Sequence, residues 1–125
     1  MTNASSDSGP LADANVGEII IYVRDLARMK RFYSEQLGFR IVADRGRLVA
    51  FSGNAGAEIV LHGGREDSRD GGNSWLLQII VPDIDKAVLA LRERGVAISD
   101  VEQRPYGRYA RFSDPEGNQL GLEQA

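Results

Sequence analysis

Glu18 to Val42 reads EIIIYVRDLARMKRFYSEQLGFRIV, an apolar run, then a helical period, then a second apolar run. The β-branched residues of Glu18–Val23 predict a buried strand. From Leu26 the spacing changes, because Leu26, Met29, Tyr33 and Leu37 recur every three or four residues, the period of one helix face. Asp25 stands where a carboxylate accepts from the first-turn N–H groups. Gly38 stands where a left-handed residue ends a helix, and Phe39, Ile41 and Val42 open a new extended run.

Working outward, the runs Arg47–Ser52 and Ala57–His62 flank the turn Gly53-Asn54-Ala55-Gly56 and complete the order strand, helix, strand, strand, strand. A polar connector, Gly63–Ser74, divides the chain. The second half then repeats the order: strand Trp75–Val81, cap Asp83, a helix with Ile84, Val88 and Leu91 on one face, Gly95 as its stop. Extended runs follow at Val96–Gln103, Arg108–Ser113 and Gln119–Glu123. Asp25 matches Asp83 and Gly38 matches Gly95. Two units each too small to close a core pair to do so. Residues 1–14 are small and polar and are expected to form a disordered tail. A single domain is expected over 15–125, with one module at about 16–63 and another at about 74–124.

A chain of 125 residues with 42% hydrophobic and 26% charged residues is large enough for a core without cross-links. Its net charge of -3 offers no general attraction for nucleic acid or anionic lipid, and the longest apolar run, Ile19–Val23, is too short to span a bilayer. No nucleic-acid or membrane partner is expected. Without cysteine, thiolate nucleophiles and zinc ribbons are excluded, and any imidazole chemistry must pass through His62, the one histidine. A cytoplasmic protein is expected.

VRDLARMKRFYSEQLGFRI (Val23–Ile41), VPDIDKAVLALRERGV (Val81–Val96) and FSDPEGNQLGLEQ (Phe112–Gln124) together resemble the vicinal oxygen chelate superfamily of glyoxalase I, bleomycin-resistance proteins and extradiol dioxygenases. The resemblance implies an α+β fold in which two paired βαβββ modules form curved mixed sheets around a cleft, commonly in a homodimer. It does not name a reaction. Whether the modules pair within one chain or across a dimer stays open.

Strand alternation sorts side chains within that frame. Ile19, Ile21, Val23, Ile59, Leu61, Ala110, Phe112, Leu120 and Leu122 are expected in the core, as is Trp75. Facing the cleft are Glu18, Ile20, Tyr22, Glu58, Val60, His62, Leu76, Gln78, Ile80, Tyr109, Arg111, Gln119, Gly121 and Glu123. The expected ligand-binding residues among these are Glu18, Tyr22, Glu58, Val60, His62, Leu76, Gln78, Tyr109, Arg111 and Gly121. Arg111 also has a purely structural reading, as the ion-pair partner of Glu58 or Glu18.

Metal-binding members carry ligands on the first and last strand of each module, and the resemblance puts these at Glu18, Val60, Leu76 and Gly121. Three of the four offer no lone pair; a shifted alignment with Glu58 in place of Val60 still leaves only two acids. No metal and no cofactor are therefore expected. Mostly apolar walls with a few polar groups fit a small-molecule pocket. Two carboxylates and two tyrosines suit an aromatic or basic natural product held without chemistry, in the manner of antibiotic-resistance proteins. The alternative is a metal-free isomerase, lyase or cyclase with Glu58 or Glu18 as general base and Arg111 or a tyrosine steadying negative charge. A metal-dependent enzyme and an interaction module with a self-filled cleft are further readings.

Overall fold

A computed structural model describes residues 9–10, 12–13, 17–53, 56–64, 76–105 and 107–125. The expectations for most of the N-terminal tail, for most of the 63–74 connector and for Trp75 lie outside them. The elements run β1 (Glu18–Val23), α1 (Leu26–Arg31), β2 (Arg40–Asp44), β3 (Leu48–Ser52), β4 (Glu58–Gly63), β5 (Leu77–Val81), α2 (Ile84–Glu93), β6 (Glu102–Arg104), β7 (Gly107–Ser113) and β8 (Gln119–Gln124). Each half forms one four-stranded mixed sheet, ordered β1-β4-β3-β2 and β5-β8-β7-β6. The first strand of each half runs parallel to the last, which requires the helix as crossover, and the remaining pairs are antiparallel. This is the α+β arrangement of two βαβββ modules.

The caps act locally as their chemistry dictates. The Asp25 side chain accepts from the Arg28 N–H and that of Asp83 from the Lys86 N–H, both at 3.1 Å. Gly38 and Gly95 close the two helical segments at φ of +83° and +86°, a conformation that a Cβ would strain.

The structure departs from the sequence pattern in two places. The first helical segment is not regular to its end: Phe32–Gln36 form a wide turn in which the Leu37 N–H donates to the Phe32 carbonyl five residues back. Phe32 and Tyr33 are both buried there, three and four residues after the buried Met29 and on the same face as it. The extended run Val96–Gln103 yields only the short strand β6. Ile98 lies opposite Phe112 and Glu102 opposite Tyr109, so four steps on one side face three on the other, and the surplus residue interrupts the ladder.

One contiguous core joins both halves, with Val23, Met29, Tyr33, Phe51 and Leu61 from the first and Ile84, Val88, Leu120 and Leu122 from the second. A buried polar hairpin holds the halves in register. Asp114 accepts from the backbone N–H groups of Glu116 and Asn118, from the Asn118 amide and, at 2.9 Å, from the Tyr33 hydroxyl of the other module. The Glu116 carboxylate accepts from the backbone N–H groups of Arg24 and Asp25 at 2.9 and 2.8 Å. With every oxygen occupied, these buried acids avoid the penalty of unpaired charge. Burial, reinforced by the neighbouring Asp114 charge, pushes the Tyr33 phenol far above its ordinary pKa. The Phe-Tyr and Asp-Pro-Glu-Gly-Asn signatures are thus the two sides of one inter-module fastening.

Candidate ligand site

The second sheet presents its outward face in rows fixed by register. Gln78, Gly121 and Arg111 lie side by side across β5, β8 and β7, and Ile80, Glu123 and Tyr109 form the next row. Gly121 matters because it has no side chain. A Cβ there would overlap Gln78 Oε1, so the glycine lets the Gln78 amide lie flat across β8. In that pose Gln78 Nε2 donates to Glu123 Oε1 at 3.3 Å, while Gln78 Oε1 is buried without a hydrogen-bond partner among the described residues. An orphaned buried acceptor is costly until a donor reaches it.

Gln78, Tyr109, Arg111 and Glu123 line a pocket of about 470 Å³ together with Ala110, Ser99, Glu102 and Arg104. Ser99 is held there because its N–H donates to the Arg111 carbonyl while its hydroxyl accepts from the Arg111 N–H. Glu102 and Arg104 pair with each other on β6. The Arg111 side chain has no ion-pair partner among the described residues, so the structural alternative, a pairing with Glu58 or Glu18, is not formed. Ser99, Glu102 and Arg104 were not legible in the sequence, since their run has no regular alternation and reaches the pocket through a broken ladder.

The remaining expected residues lie elsewhere. Glu18 and Glu58 are register partners at the start of β1 and β4, followed by the Ile20–Val60 and Tyr22–His62 rows. The Tyr22 and His62 rings sit 5.1 Å apart, and His62 Nδ1 donates to the Gly63 carbonyl at 2.7 Å, which puts its proton on that nitrogen. Val60 is buried on this face beside Ala50. None of these first-sheet residues lines the second-sheet pocket, and Leu76, just ahead of β5, does not line it either. The outward faces of both sheets leave large apolar side chains open to solvent, Ile20 at 46%, Tyr22 at 57% and Ile80 at 58% exposure.

The donor set does not fit a catalytic metal. Glu18 stands two rows' worth of chain from Val60, Gly121 is covered by the Gln78 amide, and among the described residues no three His, Cys, Asp or Glu side chains converge. Likewise, no helix among the described residues is long and apolar enough to cross a membrane.

The Glyoxalase/Bleomycin resistance protein/Dioxygenase superfamily profile matches residues 15–122. TnmS3, an antibiotic binding protein from Streptomyces sp. CB03234, is 34% identical over 90% of this chain and 97% of its own, with a TM-score of 0.78. A glyoxalase/bleomycin resistance protein from the same organism is also 34% identical, over 87% of this chain and 99% of its own, with a TM-score of 0.74. A superfamily member from Sphaerobacter thermophilus DSM 20745 is 31% identical over 90% and 98% of the two chains, with a TM-score of 0.73. No curated protein matches the chain. By profile, by identity and by the two fastened βαβββ modules, the chain belongs to the glyoxalase/bleomycin resistance protein/dioxygenase superfamily.

Proposed function

We propose that this protein is a metal-free binder that sequesters an aromatic or basic natural product in a homodimer. The observation that carries the reading is the second-sheet pocket, where the Gln78 side chain, the half-buried Glu123 carboxylate and Tyr109 meet around about 470 Å³. Flat aromatic area stacks on a tyrosine, and Glu123 favours a cationic group. Arg111 supplies a forked donor for an acidic hydroxyl or carbonyl on the same ligand. None of these contacts makes or breaks a covalent bond. Similarity to TnmS3, an antibiotic binding protein, supports this reading. The exposed Ile20, Tyr22 and Ile80 support a second copy that covers the outward faces and brings the first-sheet group of Glu18, Tyr22, Glu58 and His62 against the pocket of its partner.

Calorimetric titration with a panel of aromatic and cationic natural products tests it. Saturable binding of a compound recovered unchanged in mass is expected, weakened about tenfold by Glu123→Gln or Arg111→Gln as a charge-assisted hydrogen bond is lost. No saturable binding across the panel overturns the reading. Metal analysis of protein purified without chelator is expected to read near zero; about one tightly held ion per chain would restore a metal-dependent enzyme. For the dimer, Tyr22→Asp with Ile80→Asp is expected to halve the mass in sedimentation.

The second reading, a metal-free isomerase, lyase or cyclase, is favoured by one observation, the register pairing of Glu18 and Glu58 on the sheet face that carries the Tyr22–His62 ring contact two rows on. A ligand returned chemically altered, with turnover lost in Glu58→Gln, would select it.

A further inference from the structure

The second sheet has an inward face as well, and it is not fully covered. On the side opposite Gln78, Arg111 and Glu123, a crevice of about 690 Å³ opens where the modules meet, walled by Ile79 and Val81 of β5, Leu91 of α2, Phe112, and Leu37 and Phe39 of the first module. Its size falls within the range of small-molecule sites, roughly 300–1,000 Å³. The charged residues among its lining are Arg40 and Arg94, both cationic.

Neither arginine has a carboxylate partner among the described residues. Arg40 Nη2 donates to the Gly53 carbonyl at 2.8 Å, and Arg94 Nη1 lies over the bare Cα of Gly38, 3.4 Å from the Glu35 carbonyl. A guanidinium carries five donor N–H groups, so each keeps several unused at the crevice. The chain as a whole is acidic, with a net charge of -3, so this cationic mouth is a local feature rather than a general attraction for anions.

We propose that this crevice is a second ligand site, taking a small amphipathic carboxylate whose apolar body lies among Ile79, Val81, Leu91 and Phe39 and whose carboxylate is held by Arg40 and Arg94. The site is separate from the natural-product pocket, across one thickness of sheet, and stands or falls independently of it. Charge complementarity chooses the occupant: a neutral chain leaves the guanidinium donors unused, and an ammonium head is repelled.

The probe is octanoate, titrated calorimetrically into the intact protein and compared with 1-octanol and octylammonium. One octanoate per chain is expected to bind, with both analogues at least about tenfold weaker, the scale of a charge-assisted hydrogen bond. The paired substitution R40Q/R94Q is expected to weaken octanoate about tenfold or more, while the charge-matched pair R28Q/R31Q, on exposed positions of α1, leaves it unchanged. Ala90→Phe, at an exposed helix position on the crevice wall, is expected to abolish binding by filling it. Should that variant melt early, the arginine pairs decide the matter alone, since all four side chains are on exposed residues. The proposal is overturned by absence of saturable octanoate binding, by equal affinity for octanol, by equal losses in the two arginine pairs, or by a loss through Arg111→Gln with none through R40Q/R94Q.

Discussion

The two modules repeat one plan, yet the starts of their helices are held in different ways. The α2 start is tied within its own module, where the Ile84 N–H donates to the Gln124 side chain at 3.0 Å. The segment leading into α1 is tied across the molecule, where Arg24 and Asp25 N–H groups donate to Glu116 of the other module, more than ninety residues away. The outward faces differ as well. The first sheet carries two carboxylates as register partners and a tilted Tyr–His ring contact; the second carries an amide lying over a glycine beside an arginine with no ion-pair partner among the described residues. Repetition therefore sets the frame, and the departures from it supply the inter-module fastening and the candidate site.

If the shared core makes the modules one cooperative unit, equivalent truncations in each should cost alike. Leu61→Ala and Leu122→Ala, at matching places on β4 and β8, are each expected to lose about 3 kcal/mol with a single denaturation transition. Two transitions in either variant would separate the modules. The fastening comes next in size. Glu116→Ala strips the acceptor from two backbone N–H groups and is expected to lose about 2 kcal/mol, with Glu116→Gln losing less because one acceptor oxygen remains. Gln124→Ala, which orphans one donor at the α2 start, should cost less than Glu116→Ala; equal costs would erase the asymmetry.

Tyr33 makes the fastening sensitive to alkali. Its phenol pKa is raised in the fold by burial and by Asp114, so the unfolded chain releases that proton first. The resulting stabilisation is fully present below the ordinary phenol value of 10.0 and is lost progressively as pH rises above it. Denaturation midpoints measured from pH 9 to 11 should fall more steeply for the wild type than for Tyr33→Phe. At neutral pH that variant should cost about 1 kcal/mol for the lost hydrogen bond. The smallest effect belongs to the surface pair Arg108–Asp85, whose hydrogen bond holds the Asp85 carboxyl below its ordinary value. Its contribution is present above the unfolded carboxyl value and lost as pH falls through the lowered one. Asp85→Asn should flatten the acid limb slightly, and added salt should hide the difference.

Caps, strand faces and the repeat were readable because they depend on neighbours in the chain. Asp25, Asp83, Gly38 and Gly95 act on groups within a few residues, and alternation along β1 or β8 follows from geometry that no distant contact changes. The wide turn at Phe32–Gln36 was not readable, since the apolar spacing of Met29, Phe32 and Tyr33 fits a regular helix equally well. Nor were Ser99, Glu102 and Arg104, which reach the pocket through a ladder broken by one surplus residue.

The sequence by itself determined which residues could make strands, helices and their ends, which side of each strand would be apolar, and how few metal donors were present. Those properties reside in side-chain chemistry and in backbone geometry over a few residues. Only the tertiary structure decided that Tyr33 would meet Asp114 and Glu116 the Arg24–Asp25 backbone, that the Gln78 amide would lie over Gly121, and that two arginines with no carboxylate partner among the described residues would border an apolar crevice between the modules. Each is a contact between groups far apart in the chain, formed where hydrophobic burial brings the two halves together, and local propensity carries no record of it.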